Sequence, residues 1–179
     1  MADIERPHLV YGPIGISFEA VSEERDREME REYQQLSEMD SDPIGQWLRL
    51  EKAKGEFEDT DEVLLSLIVE LHRKVDRLEK FVRGEERELI PLDSREKIEF
   101  VGFNSFELQK DIFIEGKNYY GRIEMETYPE RDVPIFFQAL NGKLAEIKKI
   151  HNRDDRDWSS YVRARERVMI REQRGAKKW

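Results

Sequence analysis

The sequence predicts an α+β protein that combines helices with an antiparallel barrel or sandwich of six short strands. Three observations support this prediction. An apolar heptad pattern runs through the middle of the chain, short alternating runs separated by turn residues follow it, and an Arg-rich amphipathic segment comes last. At 179 residues, the chain has room for one compact domain with helical extensions.

Composition favours exposed helix and excludes several kinds of site. Hydrophobic residues make up 38% of the chain and charged residues 40%, which leaves little core material and much solvated surface. The absence of cysteine excludes disulfides, thiolate zinc sites and cysteine nucleophiles, and a reducing cytoplasm is the expected location. Because the sequence contains no signal-peptide pattern and no membrane-length apolar run, we expect neither secretion nor membrane insertion.

The charge of the chain argues against nucleic acid as a partner. Its net value is −9, which disfavours general binding to a polyanion. The distribution is uneven, since Glu19 to Asp42 holds ten acids and three bases, whereas Ser160 to Trp179 holds seven bases and two acids. Solvated surface is the simpler interpretation of both segments.

The first 17 residues predict an extended arm outside the folded domain. Pro7, Gly12, Pro13 and Gly15 stand among apolar residues, a mixture that suits extended chain better than helix. The sequence does not indicate what this arm does.

Two helices are predicted after the arm. From about Phe18 to Met39 the sequence is rich in Glu and Arg with a sparse apolar stripe, so this helix needs a partner to bury the stripe. Asp42 and Pro43 then suit the cap and the first position of a second, short helix, which Gly55 is predicted to end.

The strongest periodic pattern begins near Asp59, which has capping-box spacing to Glu62. The apolar residues that follow recur at alternating steps of four and three, as in the a/d seam of a heptad repeat. β-Branched residues at a with leucine at d are typical of two-stranded coiled coils. We predict an oligomer interface formed by the seam residues Leu64, Ile68, Leu71, Val75, Leu78 and Val82.

The assembly that this helix forms stays open. Leu65, Leu67 and Phe81 widen the apolar face, which also suits a bundle of more helices or packing against the chain's own domain. An apolar face this wide would leave a large exposed patch on a monomer. We therefore expect a homo-oligomer, either a dimer or a tetramer.

After Gly84 the pattern changes to short runs punctuated by Gly, Pro, Asn and Asp. Asn141-Gly142 predicts a tight hairpin turn of the primed type. Short strands with little helix between them indicate a barrel or sandwich, and the alternate aromatic residues would fill its interior. The six runs are ERELIPL, EKIEFVGFN, FELQKDIFIEG, NYYGRIEMET, PIFFQAL and LAEIKKI.

A final helix is predicted to start near Asp154. Trp158, Tyr161 and Val162 would share one face of it, with arginines on the other. The predicted organisation is thus an arm at 1–17, a helical oligomerisation region at 18–83, and a barrel with a C-terminal helix at 84–179.

This order of elements resembles PilZ proteins, in particular the oligomeric subgroup with a helical heptad extension before the barrel. DPIGQWLRLEKAKGEFEDTDEVLLSLIVELHRKVDRLEKFV is similar to that subgroup's helical prefix, and DDRDWSSYVRARER to its terminal helix. With the strands between them, the resemblance covers about residues 42–174. It implies a six-stranded antiparallel PilZ-like β-barrel and a role in bacterial second-messenger, motility or surface-attachment control.

PilZ domains that bind cyclic-di-GMP combine an RxxxR motif before the first strand with a [DN]xSxxG turn after the second. Arg83 and Arg87 have the first spacing, so the resemblance implies that they are the nucleotide-binding residues if any nucleotide binds. In VGFNSFEL, Gly102 takes the place of the Asp or Asn, Asn104 that of the Ser, and Glu107 that of the Gly. A carboxylate where backbone should approach an anion is repulsive, so we expect weak binding or none.

Neither catalysis nor metal binding is indicated by the sequence. His8, His72 and His151 are far apart and lack ligand-like neighbours, and no carboxylate pair has the apolar setting that would shift one pKa. We therefore expect no catalytic residue, no metal and no cofactor. The predicted function is a non-catalytic, self-associating regulatory or adaptor protein with an unidentified protein partner. A divergent cyclic-di-GMP receptor and a structural oligomer unrelated to nucleotide signalling stay open as alternatives.

Overall fold

The computed structural model describes residues 7–38, 43–55, 61–84, 88–125 and 131–176. Within these ranges the chain forms six strands and four helices. The strands are β1 Val10–Ala20, β2 Ser94–Val101, β3 Ser105–Leu108, β4 Asn118–Met125, β5 Arg131–Ala139 and β6 Leu144–Ile150. The helices are α1 Asp26–Glu38, α2 Pro43–Ala53, α3 Glu62–Val82 and α4 Asn152–Ala176.

The six strands form one closed barrel in the order β1-β2-β3-β6-β5-β4. Every neighbouring pair is antiparallel, and pairing of β1 with β4 closes the barrel. The predicted α+β class and six-stranded antiparallel barrel are confirmed at this level. A closed barrel leaves no free sheet edge, which protects short strands of this kind from pairing with other chains.

The first strand comes from the segment predicted as an arm. Val10–Ala20 pairs with β2 on one side and β4 on the other, so the arm assignment is wrong from residue 10 onward. Residues 1–6 lie outside the described ranges. The described chain accordingly divides into a barrel unit, which joins the residues up to Tyr33 with those from Pro91 onward, and a helical unit within 34–90. The predicted boundaries at 17 and 83 are therefore also wrong.

The positions of Pro13 and Gly15 in β1 can be related to how this strand pairs with its neighbours. Pro13 lies where the pairing register with β2 shifts between Tyr11 and Ile14, so its missing N–H does not interrupt a regular ladder. A Cβ on Gly15 would lie 2.5 Å from a carboxylate oxygen of Glu124 on β4, so a larger residue here would require the Glu124 side chain to move. These residues mark a bulged, tightly packed strand of the barrel.

Helices α1, α2 and α3 interrupt the barrel between β1 and β2, so the prediction that the helical region precedes the barrel is wrong. Helix α1 begins at Asp26 because the residues from Phe18 to Ala20, predicted as helix, continue β1. Its predicted apolar stripe is buried at Met29 and Tyr33. The start of α2 at Pro43 agrees with the prediction, and Gly55 follows the helix with a positive φ of 79°.

Two other local predictions need correction. The run ERELIPL forms no strand in its described part, residues 88–92, and the Pro91 carbonyl instead accepts a hydrogen bond from Arg25 Nη2 at 3.0 Å. The turn at Asn141 is not of the primed type, because Gly142 lacks the positive φ that such a turn requires. Asn141 Oδ1 instead accepts the backbone N–H groups of Lys143 and Leu144, both at 2.9 Å.

The barrel interior and the buried face of α4 form one core. Trp158 and Val162 are fully buried and pack with the barrel residues, as the sequence predicted for this face of the helix. The Trp158 indole Nε1–H donates to the carbonyl oxygens of Gly102 at 3.0 Å and Phe103 at 3.1 Å. Aromatic rings fill the interior with mostly edge-to-face contacts, as expected for short strands; they are Phe18, Phe106, Phe113, Tyr119 and Phe137.

Candidate self-association surface

The helix that carries the heptad pattern has a well-defined start and end. Asp61 is its N-cap, because its Oδ1 accepts the backbone N–H groups of Val63 at 2.9 Å and Leu64 at 3.3 Å. The predicted cap, Asp59, lies outside the described residues. Gly84 follows the helix with a φ of 69°, a conformation that suits glycine at a helix end.

One face of α3 exposes a continuous row of large apolar side chains. The exposed fraction of the predicted seam residues ranges from 53% at Val75 to 76% at Val82. Next to the seam, Leu67 and Phe81 are also more than half exposed, whereas Leu65 is partly buried. All six seam residues therefore lie together on one accessible surface, formed by Leu64, Ile68, Leu71, Val75, Leu78 and Val82.

The more buried side of α3 is largely polar. Glu70 is buried, with its carboxylate 3.7 Å from Arg73 Nη1 and 3.5 Å from Arg77 Nη2. Val69, Arg73 and Asp76 are partly buried. A folded chain that covers a glutamate and leaves a row of leucines and valines in water is unusual. The exposed row has the features of a surface that another protein covers.

The predicted nucleotide-binding arginines are only partly described. Arg83 caps the end of α3, where its backbone N–H bonds to the carbonyl oxygen of Glu79, and its guanidinium pairs with the Glu79 carboxylate at 2.5 Å. The side chain is 61% exposed. Arg87 lies outside the described residues, so the two arginines are not seen together.

Backbone carbonyl groups in the turn after β2 accept hydrogen bonds from other parts of the chain. The carbonyl oxygens of Gly102 and Phe103 accept the Trp158 indole N–H, and that of Asn104 accepts the backbone N–H of Ile147 at 2.8 Å. Three consecutive carbonyls of this turn are thus engaged by other parts of the same chain. A ligand approaching the turn would meet backbone that is already hydrogen-bonded.

Glu107 lies outside this turn. It is the third residue of β3, paired in register with Phe100 of β2 and Leu144 of β6. The alignment of the family's turn motif with VGFNSFEL therefore fails at its last position, because Glu107 lies in a strand and not in a turn. Gly102 and Asn104 are in the turn, but the position predicted for the motif's glycine is not.

A buried polar cluster, which the sequence did not indicate, attaches α1 to the outside of the barrel. The Glu32 carboxylate accepts from the Tyr120 hydroxyl at 2.7 Å and from Arg122 Nη1 at 2.6 Å. Burial raises the pKa of the Tyr120 phenol, and the neighbouring Glu32 carboxylate raises it further, so the hydroxyl stays protonated and donates. Burial also raises the pKa of Asp132, although the charge of Arg122 opposes that shift.

We expect Glu32→Gln to lower the free energy of unfolding by about 1–3 kcal/mol, because it removes the carboxylate charge that pairs with the buried Arg122 guanidinium and accepts from Tyr120. Glu30→Gln on the same helix is the matched control. It removes the exposed ion pair with Lys149 and should cost about 0–1 kcal/mol. Urea unfolding followed by circular dichroism compares the two. Equal effects would show that the cluster does not hold α1 to the barrel.

Other kinds of site find little support in the described part of the chain. It contains no group of three or more His, Cys, Asp or Glu side chains placed to hold a metal ion. Among its helices, none is long and apolar enough to cross a membrane. Comparisons with protein-family models, with curated proteins and with solved structures each find no match to this chain. The resemblance to PilZ proteins therefore stays a prediction from the sequence.

Proposed function

We propose that this protein is a non-catalytic, self-associating module whose copies join through the apolar face of α3 and which acts as a regulatory or adaptor protein. One observation carries the proposal: six heptad-spaced apolar side chains are each more than half exposed on one helix. Light scattering of a variant with charged residues in this seam tests it directly. Loss of assembly in that variant would support the proposal, and an unchanged assembly would refute it.

The regulatory part of the proposal rests on the resemblance to PilZ proteins. A closed six-stranded antiparallel barrel with a C-terminal helix supports it. In this proposal the module takes part in bacterial second-messenger, motility or surface-attachment control. It does so through contacts with a protein partner and not through a tightly held nucleotide.

We expect cyclic-di-GMP to bind more weakly than micromolar or not at all. The Arg83 guanidinium is exposed and paired with Glu79, so its attraction for a phosphate in water is small unless other groups fix the ligand. The turn that should do so has its carbonyls bound to Trp158 and Ile147. Gly102 replaces the Asp or Asn of the family's turn, and Asn104 replaces its Ser. The loss of these two hydrogen-bonding groups, at about 1–3 kcal/mol each, weakens binding by roughly two to four orders of magnitude.

A calorimetric titration of the full chain with cyclic-di-GMP checks this expectation. Micromolar or tighter binding that Arg83→Ala or Arg87→Ala abolishes would contradict it and establish a divergent receptor. Lys80→Ala is a matched control, since it removes an exposed cation on α3 outside the motif. If that control abolished binding as well, the effect would reflect general charge and not a nucleotide site.

A further inference from the structure

A row of arginines runs along the solvent face of α4. At 3.6 residues per turn, its members fall within an arc of about 80°, and the row extends for about 27 Å along the helix. No acidic residue of α4 lies within this arc. The negative end of the helix dipole explains cations in the last turn of a helix, but not those of the preceding turns. We call this row the arginine stripe; it consists of Arg156, Arg163, Arg167, Arg171 and Arg174, all of them exposed.

The fold does not use the charge of this stripe. Within the described residues, none of its guanidiniums takes part in an ion pair. Other exposed cations are neutralised locally, as where Lys80 and Lys110 pair with carboxylates at 2.8 and 2.9 Å. On the opposite face of α4, Arg165 donates to the Tyr11 carbonyl oxygen at 2.9 Å and so helps to hold the helix to the barrel. The stripe is therefore available to an anionic partner.

Acidic side chains of α4 border the stripe and limit the kind of partner that can bind. Asp155 and Glu166 lie on one side of it, and Asp157 and Glu172 lie on the other. A membrane surface or a nucleic-acid duplex is broader than the stripe, so its phosphates would also approach these carboxylates. The net charge of −9 adds to that repulsion at longer range. A narrow anionic partner fits better.

A helix with carboxylates along one face has the required width and spacing. Its diameter is about 10–12 Å, and side chains four positions apart on it are about 6 Å apart along its axis. The steps from Arg163 to Arg167 and on to Arg171 have the same spacing, and a guanidinium binds a carboxylate through two parallel hydrogen bonds. Ile170 is 43% exposed at the edge of the stripe, and Phe103 is 44% exposed beneath the Arg163 guanidinium. These two side chains supply the apolar contact that protein interfaces combine with arginine.

We propose that the arginine stripe of α4 is the docking surface for an acidic helix of a partner protein, one that carries Asp or Glu along one face. This inference rests on the proposed function, in which the module acts through a protein partner, and it gives that partner a chemical character. Because α4 belongs to the barrel unit and α3 to the helical unit, docking and self-association use different surfaces.

Two synthetic peptides test the proposal with the full chain. Both are alanine-based helices of about 20 residues with the same number of glutamates. One peptide carries them along one face, and the other has them distributed around the helix. Fluorescence anisotropy at low salt should show about tenfold tighter binding of the one-faced peptide, because only that peptide pairs with several arginines at once. Equal binding of both peptides, or no binding of either, would overturn the proposal.

A pair of matched variants tests the position of the site. Arg167→Ala with Arg171→Ala should weaken binding of the one-faced peptide about fivefold, since it removes two neighbouring ion pairs. Arg27→Ala with Arg31→Ala is the control, because it removes two exposed arginines with the same spacing from α1. The control should change the affinity by about twofold or less. Equal losses in the two variants would show general attraction to a charged chain and would contradict a site on α4.

Oligouridine and vesicles that contain phosphatidylserine serve as competing ligands. If either bound more tightly than the one-faced peptide, and lost that binding with Arg167→Ala and Arg171→Ala, the stripe would bind phosphates and the acidic-helix proposal would be wrong.

Light scattering distinguishes a failure of docking from a failure of self-association. The Arg167→Ala and Arg171→Ala variant should have the wild-type mass. A multimeric wild-type protein that binds neither peptide would refute docking and leave self-association intact. A wild-type mass of one chain would refute self-association, whereas the peptide comparison would still decide whether α4 docks an acidic helix.

Discussion

Replacing Ile68 and Val75 by aspartate should convert the assembled protein into monomers. Both residues occupy a positions and are exposed on the same face of α3, where assembly would bury them against the other copy. Each variant chain would bring two carboxylates into an apolar seam, and burying an unpaired charge costs several kcal/mol. Light scattering should show the mass fall to the 21.5 kDa of one chain.

The double variant Ser66→Asp with Lys80→Ser is the matched control for this experiment. It changes the net charge by the same amount, but at positions that lie away from the seam on the same helix. Its mass should equal that of the wild-type protein. An unchanged mass in the seam variant, or equal dissociation in both variants, would show that the seam is not the interface.

Replacing Trp158 by alanine should lower the free energy of unfolding by about 3–5 kcal/mol, the range for large aromatic side chains removed from a core. The indole is fully buried and joins α4 to the barrel core. Its N–H also satisfies the carbonyl oxygens of Gly102 and Phe103, which would lose this partner. Urea unfolding followed by circular dichroism measures the change.

Two further variants separate the causes of this loss. Trp158→Phe keeps much of the buried apolar area but removes both hydrogen bonds, so its effect should be smaller than that of alanine. Ile170→Ala, at a 43% exposed position on the same helix, should change stability by about 0.5 kcal/mol or less. If Trp158→Ala cost no more than Ile170→Ala, α4 would not be docked on the barrel through this side chain.

The sequence predicted those helices and strands that can be recognised from the spacing of their own apolar residues. The heptad steps from Leu64 to Val82 predicted α3, because the period of apolar residues in a helix is read directly from the sequence. Alternation predicted β2 and β4, and the apolar face around Trp158 predicted the docking side of α4. Burial follows the predicted face in α4, whereas the heptad residues of α3 are exposed and β4 is buried at nearly every position.

The first strand was missed because turn-type residues obscured a clear alternation. Val10, Ile14, Ile16 and Phe18 are all buried at alternate positions of β1, which is the period of a strand. Pro13 and the neighbouring glycines favoured irregular chain in the sequence, although the barrel uses them at a register shift and at close contacts. Counting the alternation across the proline would have found the strand.

The buried cluster around Glu32 could not be inferred from sequence for a different reason. Its partners, Tyr120 and Arg122, lie 88 and 90 residues away along the chain, and local patterns carry no information about such contacts. Glu32 also stands in a segment crowded with exposed glutamates. Its position next to Tyr33, on the apolar stripe of α1, was the only local signal that it faces the barrel.

The mass of the wild-type full chain in solution is the most direct measure of self-association through α3. Light scattering coupled to size exclusion, at several concentrations, should give two or four times the 21.5 kDa mass of one chain. A mass of 21.5 kDa at every concentration would contradict self-association, and the exposed apolar face of α3 would then require a different partner.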